Sequence, residues 1–217
     1  MRSEIELQYG QIGNIIMNKY VISHNTSGNI IWSDVPELRI DSYQKKPDAT
    51  ISAVAQICWN VEKLSVRLSC TEPSILARYM GENDPVYRDS CLEMFLCPKA
   101  EDGRYFNFEF NPNGSSFVGF GYGRNDRMRL HPINIRELLS IRNYRDGDFW
   151  EIRFDVPVTL LQLFMPEYTL TEGRKMRGNF YACGDDVEPN HELMWNLITN
   201  EKSDFHQPEF FGELVLE

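Results

Sequence analysis

Residues 90–97 read Ser-Cys-Leu-Glu-Met-Phe-Leu-Cys, and residues 105–111 read Tyr-Phe-Asn-Phe-Glu-Phe-Asn. In the second stretch phenylalanine alternates with polar residues or tyrosine, which is the period of a strand with one buried face. The first stretch has a leucine or methionine at every second position from Leu92 to Leu96. The turn residues that separate them, Pro98 to Gly103, predict an antiparallel hairpin.

The register of this hairpin follows from keeping both apolar faces on the same side of the sheet. That condition places Glu93 opposite either Asn107 or Glu109. Two carboxylates directly opposite each other repel, so the sequence favours the pairing of Glu93 with Asn107.

Further alternating segments predict strands along the rest of the chain, and helical periodicity is scarce. These strands are Thr50–Cys58, Leu64–Cys70, Phe117–Tyr122, Phe149–Val156, Met176–Gly184 and Gly212–Leu216. Short helices are predicted at Pro132–Ile141 and Pro157–Phe164, where proline opens each segment. The pattern predicts an all-β fold, an antiparallel β-sandwich of jelly-roll-like or immunoglobulin-like type with one or two short helices. Residues 1–217 fit a single domain, in which 1–48 form a less regular segment packed across the sandwich.

Composition argues against several classes of protein. The chain has 32 acidic and 22 basic residues and a net charge of -10, which repels a phosphate backbone, so no nucleic-acid partner is expected. No apolar run is long enough to span a membrane. The first 20 residues lack the pattern of a signal peptide, and the five cysteines form no C-x-x-C pair, which favours buried thiols and a cytoplasmic location. An extracellular location applies if a signal peptide has been removed, and the oligomeric state is not determined.

Aromatic and polar residues near the hairpin form a first candidate site. Tyr87, Asp89 and Glu93 share one parity, and they point to the same side as Asn107 and Glu109 if the strand begins as early as Tyr87. Saccharides are held by an aromatic face together with carboxylates and amides that bind hydroxyl groups. Charged strand positions are equally typical of a solvated sheet face, and an aspartate before a strand is typical of a turn or cap.

A polar loop, residues 184–195, forms a second candidate region and ends in Trp195. Because the Trp195 indole lies among polar residues, it is predicted to be an exposed platform for a ligand. The alternative interpretation, that Trp195 is buried and closes the end of the sandwich, is nearly as good. Four neighbouring residues of the loop suggest a metal site: Asp185, Asp186, Glu188 and His191. They match neither the EF-hand spacing nor a zinc motif, so solvated loop acids are the better interpretation and the metal ligands stay unknown.

The segments Tyr87–Leu96 and Arg104–Gly114 together resemble the central hairpin of the family 9 carbohydrate-binding modules. Later segments resemble further parts of that family in the same order: Phe149–Pro157, Asn179–Tyr181, Trp195 and Asp204–Leu214. The resemblance covers about Thr50 to Glu217. The ordered combination is more specific than any single segment.

The resemblance implies a β-sandwich binding module of the kind appended to xylanases, which serve carbohydrate catabolism. In that family a sugar lies between two aromatic side chains, usually tryptophans, and carboxylates and amides fix its hydroxyl groups. By position, the resemblance assigns the aromatic walls to Tyr87 and Trp195, the carboxylate to Glu93, and polar contacts to Asn107 and Glu192. A tyrosine therefore replaces one tryptophan, and Glu192 stands where an amide is expected. No cofactor is firmly implied; calcium is possible, since family members have calcium sites, but their ligands do not map onto residues of this chain.

Three functions are consistent with these patterns. The leading one is non-catalytic binding of mono- or oligosaccharide units of plant-type polysaccharide by Tyr87, Asp89, Glu93, Asn107, Glu109, Glu192 and Trp195, with no catalytic residue. The second is a small glycoside hydrolase that uses Glu93 and Glu109 as its two carboxyl groups. The third is a subunit that binds another protein through the same surface, for which a large exposed apolar patch is the distinguishing feature.

Overall fold

A computed structural model describes residues 10–12, 15–26, 28–131, 134–200 and 204–217 of the chain. Its strands are β1 (Gly10–Ile12), β2 (Ile15–Met17), β3 (Lys19–His24), β4 (Leu38–Ile40), β5 (Ser52–Trp59), β6 (Lys63–Thr71), β7 (Cys91–Cys97), β8 (Tyr105–Phe110), β9 (Ser116–Gly123), β10 (Asp126–Arg129), β11 (Arg142–Asp146), β12 (Phe149–Pro157), β13 (Lys175–Gly184), β14 (His191–Met194) and β15 (Gly212–Leu216). The helices are α1 (Ile135–Leu138) and α2 (Val158–Gln162). Neither described helix has the length and apolar character needed to cross a membrane.

The long strands form two sheets that share β3. The first sheet has the order β10-β9-β8-β7-β13-β15-β3, and the second continues as β5-β6-β12-β11. The strand β3 pairs in parallel with β15 through residues 19–22 and with β5 through residues 23–24, so it passes from one sheet to the other. The other pairings of the described strands are antiparallel.

The main core lies between the two sheets. Phe108 and Phe110 of β8 meet Phe154 of β12, with ring centroids 5.8 and 4.6 Å apart. Trp150 of β12 is fully buried in the same cluster. Aromatic contacts at these separations contribute beyond the area they remove from water. The all-β sandwich predicted from alternation is therefore confirmed.

A second apolar cluster covers the opposite face of the first sheet. It joins Phe95, Tyr105 and Tyr181 of the sheet to Phe205 and Phe211 of the C-terminal segment. The rings of Tyr181 and Phe205 stack at 4.1 Å. Because this cluster covers the outward face, every residue of β7 and β8 is buried.

The predicted strands all occur, with bounds shifted by two residues or fewer. The less regular segment 1–48 is the main correction to the fold, because it contributes β3 and β4 to the sheets. Residues 1–9, 13–14 and 27 of that segment lie outside the described residues. The alternation in β3 is real but short, with Tyr20 and Ile22 buried and Val21 exposed.

Both predicted helices are present and shorter than expected. In the first, the Asn134 side chain accepts a hydrogen bond from the Glu137 N–H, so the helix begins at Ile135. The predicted start at Pro132 lies outside the described residues. The second begins at Val158, directly after Pro157.

The hairpin register differs from the favoured prediction. Glu93 lies opposite Glu109, and Asn107 lies opposite Phe95. The pairing with Asn107 is therefore wrong, because electrostatic repulsion decides a register only when both groups are charged. Here the two carboxyl groups are buried, and burial favours the neutral form of a carboxyl group.

Glycines in β9 allow neighbouring atoms of β8 and β10 to approach the strand closely. A Cβ on Gly121 would overlap the Asp126 carbonyl oxygen and lie 2.5 Å from the Arg127 Cα. The register of the β9–β10 pair shifts between Asp126 and Arg127, which marks a bulge. A Cβ on Gly119 would lie 2.6 Å from the Asn107 Oδ1 atom.

Replacing Gly121 with alanine should destabilise the protein by about 1–3 kcal/mol, because the clashing atoms belong to backbone that cannot rotate away. Urea unfolding of Gly121→Ala and of Gly123→Ala measures the difference. Gly123 ends the same strand and has no atom within 4 Å of its added Cβ. Equal stability of the two variants would contradict the close packing at Gly121.

Candidate functional site

A cavity of about 320 Å³ opens on the outward face of the first sheet. Its floor is formed by β7 and β8, and its sides by the β9–β10 hairpin, the loop after β13, and residues 204–206. Pockets for small ligands usually measure about 300–1,000 Å³, so the volume suits a compact ligand. Its polar lining includes Glu93, Glu109, Arg127, Asp185, Glu192 and His206.

Glu93 and Glu109 form the floor of this cavity. Each is 3 % exposed, and their strands pair so that the two residues are directly opposite. The prediction that these residues form a solvated face of the sheet is wrong, because the second apolar cluster and the cavity walls cover them. Two buried carboxyl groups at such close range cannot both lose their protons without a large cost.

The environment of the pair favours its protonated forms. Burial, together with the charge of Glu109, raises the pKa of Glu93 well above its ordinary value. Burial raises the pKa of Glu109 to about 7, although the Arg127 guanidinium opposes the shift. At neutral pH the floor therefore offers both hydrogen-bond donors and acceptors.

Fixed partners orient the two carboxyl groups. The Cys183 thiol donates to Glu93 Oε1 at 3.3 Å. Asn107 Nδ2 donates to Glu109 Oε1 at 2.9 Å, and Arg127 Nη1 lies 3.4 Å from the same oxygen. These bonds all end on the Oε1 atoms, so the Oε2 atom of each group is left to form hydrogen bonds with a ligand.

His206 and Tyr105 form a hydrogen-bonded chain with Arg127. Arg127 Nη1 lies 3.2 Å from His206 Nε2, and His206 Nδ1 lies 2.7 Å from the Tyr105 hydroxyl. Burial and the charges of Arg127 and Arg124 lower the pKa of His206 to about 3. The imidazole is therefore neutral and accepts a hydrogen bond from Arg127 without balancing its charge.

Tyr87 and Glu192 also line the cavity. Tyr87 is 36 % exposed and lines its rim, and its carbonyl oxygen accepts a hydrogen bond from the Asp185 N–H at 3.1 Å. Glu192 is an exposed residue of β14 and lies opposite Cys183, so both residues face the cavity. The structure thus brings together Tyr87, Glu93, Glu109 and Glu192.

Asp89 is placed elsewhere and acts as a structural carboxylate. It is fully buried, and it accepts hydrogen bonds from the Arg78 and Tyr79 N–H groups and from Asn111. Burial alone would raise its pKa, but these bonds and the Arg78 guanidinium hold it below its ordinary value. Its assignment as a ligand-binding residue is corrected, because its oxygens bind the chain itself.

Asn107 also lies beneath the site and does not line it. The side chain is fully buried, and its amide donates to Glu109. The side chain fits because residue 119 is a glycine; a Cβ at that position would lie too close to Asn107 Oδ1. Asn107 therefore positions Glu109, and its assignment as a direct ligand contact is corrected.

Trp195 is not an exposed platform. It is 6 % exposed and packs in the main core against Phe180, with ring centroids 5.8 Å apart. Phe180 faces the interior between the sheets, whereas its neighbour Tyr181, opposite Glu93, belongs to the second cluster. Trp195 thus lies on the other side of the first sheet from the carboxyl pair, so the predicted slot between Tyr87 and Trp195 is wrong.

Within the part of the chain that the structure describes, the loop residues Asp185, Asp186, Glu188 and His191 do not come together as a metal site. Asp186 pairs with Arg78 and Arg88, and His191 Nε2 lies 3.7 Å from a Glu72 oxygen. Among the described residues, the group whose ligand atoms lie close enough together is Cys91, Glu93 and Cys183, within 4.8 Å of one another.

Two thiols and one carboxyl group do not suit calcium, which prefers six to eight oxygen ligands. They suit a softer ion such as zinc, provided that the thiols lose their protons. Burial raises the pKa of Cys91 to about 12, and the hydrogen bond with Cys91 together with burial raises that of Cys183 well above its ordinary value. The thiols therefore act here as hydrogen-bond donors to Glu93.

A larger cavity, of about 440 Å³, lies on the second sheet beside Trp32. Three of its charged side chains form ion pairs within the chain: Lys63 contacts Asp155 at 2.7 Å, and Arg153 contacts Glu151 at 2.6 Å. None of the residues that the sequence pattern predicted to bind a ligand lines this cavity. We take the smaller cavity as the candidate site because it contains two buried carboxyl groups and four of the residues expected to bind a ligand.

Sequence reasoning missed the basic side of the candidate site. Arg124, Arg127 and Arg129 line it, and Arg124 Nη2 binds Asp204 Oδ1 at 2.9 Å. The alternation of Arg127 and Arg129 after a glycine-rich strand was a usable signal, because residues two apart on a strand share a face. Asp204 and His206 lie in a short irregular segment, where no periodic pattern identifies a site.

Comparison with known proteins places the chain among carbohydrate-binding domains. The family model described as Carbohydrate-binding family 9 matches residues 26–216. No curated protein shows significant similarity to the chain.

Solved structures share the fold. The crystal structure of a candidate carbohydrate-binding protein from Bacteroides uniformis ATCC 8492 has a TM-score of 0.80 and 24 % identity, covering 92 % of this chain and 99 % of that one. A family 9 module from Caldicellulosiruptor kristjanssonii in complex with glucose has a TM-score of 0.64 and 14 % identity, covering 92 % and 96 %. The module from that organism in complex with cellotriose has a TM-score of 0.65 and 13 % identity, covering 92 % and 94 %.

Replacing Glu109 with glutamine should stabilise the protein at neutral pH. The folded pKa is raised from 4.5 to about 7, so in this range the folded chain holds a proton that the unfolded chain has lost, and stability falls as the pH rises. We expect Glu109→Gln to be more stable than the parent by up to about 3 kcal/mol at pH 7.5 and by much less near pH 4.

Urea unfolding at several pH values measures this difference. The free energy of unfolding of the parent is subtracted from that of the variant at each pH, because His206 contributes a pH dependence of opposite sign to both proteins. The lowered pKa of His206 makes stability fall as the pH drops below about 6.5. The exposed Glu167→Gln serves as the control and should follow the parent. A Glu109→Gln profile parallel to that of the parent would show that the carboxyl group is not held protonated.

Proposed function

Because the chain belongs to carbohydrate-binding family 9, we propose that it binds mono- or oligosaccharide units of plant-type polysaccharide, without chemistry, in the cavity above Glu93 and Glu109. Carbohydrate binding follows from the family. The choice of cavity rests on one observation, the buried carboxyl pair that opens to solvent beside Tyr87. Such a pair presents fixed donors and acceptors to hydroxyl groups in a site of low dielectric constant.

The two sides of a pyranose ring have different partners in this proposal. Its apolar C–H face stacks on the exposed ring of Tyr87, and its hydroxyl groups bind Glu93, Glu109 and the acids of the rim. With a single exposed aromatic side chain, the affinity is expected in roughly the millimolar to micromolar range. Glucose and cellotriose, found in the structures of family 9 modules, are the first ligands to test.

The biological setting we propose is carbohydrate catabolism, in partnership with polysaccharide-degrading enzymes such as xylanases. The resemblance of the hairpin and closing segments to modules that are appended to such enzymes supports this role. Co-purification with a glycoside hydrolase from cells grown on plant polysaccharide is its direct test.

The decisive binding experiment compares the two cavities. Tyr87→Ala should weaken sugar binding about two- to tenfold, the value of one aromatic contact. Trp32→Ala removes the tryptophan side chain that lines the larger cavity and should leave the affinity unchanged. Isothermal titration or NMR titration with the best ligand from a glycan array measures both.

The opposite outcome, with Trp32→Ala weakened and Tyr87→Ala unchanged, would move the binding site to the second sheet. Neither substitution should unfold the chain, because Tyr87 is 36 % exposed and Trp32 is partly exposed. Circular dichroism before titration provides the check on folding.

Glycoside hydrolysis is the second candidate, favoured by the raised pKa values of the opposed Glu93 and Glu109. A retaining enzyme needs one carboxyl group as acid and the other as ionised nucleophile. Release of reducing ends from cellotriose or xylan that is abolished in Glu109→Gln would establish this activity. Binding without release supports the first proposal.

A further inference from the structure

The cavity has a cationic wall built from the β9–β10 hairpin. Arg127 and Arg129 lie two residues apart on β10 and project to the same side, and Arg124 precedes them in the turn. The guanidinium groups of Arg127 and Arg129 lie 4.7 and 5.0 Å from the centre of the Phe117 ring. Contact with an aromatic face holds both groups in place while their N–H edges stay available.

The arginines of this wall differ in how their charge is balanced. Arg124 forms an ion pair with Asp204 at 2.9 Å. Arg129 forms no ion pair with any residue that the structure describes; its partner is the Phe117 ring.

Arg127 has only a partial counter-charge. The carboxyl group within ion-pair distance is Glu109, at 3.4 Å. That group has a pKa raised to about 7, so it is only partly ionised near neutral pH. The other neighbour, His206, is a neutral acceptor. Two guanidinium groups therefore face the cavity with incomplete compensation.

The opposite side of the cavity is acidic. Asp185 and Glu192 line it near Tyr87, and both are exposed. The cationic wall therefore faces acidic groups across the cavity, in a chain whose net charge is -10. A ligand that matches both sides carries an anionic group at one end and hydroxyl groups at the other.

We propose, on the basis of the carbohydrate binding proposed above, that the cavity prefers a uronic acid ring, whose carboxylate binds Arg127 and Arg129. The ring hydroxyl groups then face Glu93, Asp185 and Glu192. A planar carboxylate fits the guanidinium fork with two parallel hydrogen bonds, whereas the neutral C6 hydroxyl of glucose offers a single weaker contact. Stacking on Tyr87 is the same for both sugars, so the C6 group decides the preference.

Glucose, glucuronate and glucuronamide form a matched ligand series for the test, because they differ only at C6. Isothermal titration at neutral pH should show glucuronate binding about tenfold or more tightly than the two neutral sugars, the range expected for a hydrogen bond to a charged group. Added salt should weaken glucuronate binding and leave glucose binding unchanged. Glucose 6-phosphate tests whether any anionic group at C6 suffices.

Arg129→Gln is the informative variant, since Arg129 lacks an ion pair whose loss would disturb the fold. It should bring the glucuronate affinity close to that of glucose and leave glucose binding within about twofold of the parent. Arg39→Gln makes the same change of charge on the exposed side of β4 and should keep the parent's preference.

Five outcomes separate the alternatives. Equal affinities across the C6 series, or a preference that survives in Arg129→Gln, would overturn the uronate proposal while leaving carbohydrate binding intact. Tighter binding of glucose 6-phosphate than of glucuronate would overturn it in favour of a phosphorylated sugar. If the protein binds none of these ligands, does not bind cellotriose and binds no sugar on a glycan array, the proposed function is overturned as well. A preference for glucuronate that is lost in Arg129→Gln supports the proposal.

Discussion

The direct opposition of Glu93 and Glu109 on a covered sheet face is the constraint on which the rest of the site depends. Two carboxyl groups that are 3 % exposed can coexist only when protons or cations reduce their charge. The chain supplies both: burial retains protons, and Arg127 lies beside Glu109. The thiol of Cys183 and the amide of Asn107 bind one oxygen of each group. The result is a set of oriented polar groups that a ligand meets already in place.

The covered face also explains the aromatic content of the site. Four aromatic residues lie on the same side of the sheet as the carboxyl pair but are buried in the second apolar cluster: Phe95, Tyr105, Tyr181 and Phe205. Trp195 is buried in the main core between the two sheets. Tyr87 alone among the predicted platforms is left with an accessible ring, so hydrogen bonding and charge carry more of the recognition than stacking does.

The strands could be predicted from the sequence because alternation reports burial directly, as in the phenylalanines of β8. The second covering layer had a sequence signal too: Cys91, Phe95 and Cys97 are apolar residues on the face that Glu93 shares. A strand with apolar residues on both faces is buried on both, and this predicts that Glu93 is not solvated. The register was misjudged because pairwise repulsion assumes ionised groups, and ionisation depends on tertiary burial. The contact of Arg124 with Asp204, next to His206, could not be predicted. These residues are distant in sequence and come together only in the folded chain.

The same arrangement bears on the choice between binding and hydrolysis. A glycosidase separates the roles of its carboxyl groups by placing one in an apolar environment and the other among polar groups that keep it ionised. Here burial acts on both Glu93 and Glu109, and raises both pKa values. Each group also has one oxygen bound by a neighbouring side chain, which holds it in the floor of the cavity. Carboxyl groups fixed in this way present hydrogen-bond donors and acceptors to a ligand. Glu109, with a pKa of about 7, is only partly ionised near neutral pH, so its environment suits a nucleophile less well than one that keeps the carboxylate fully charged.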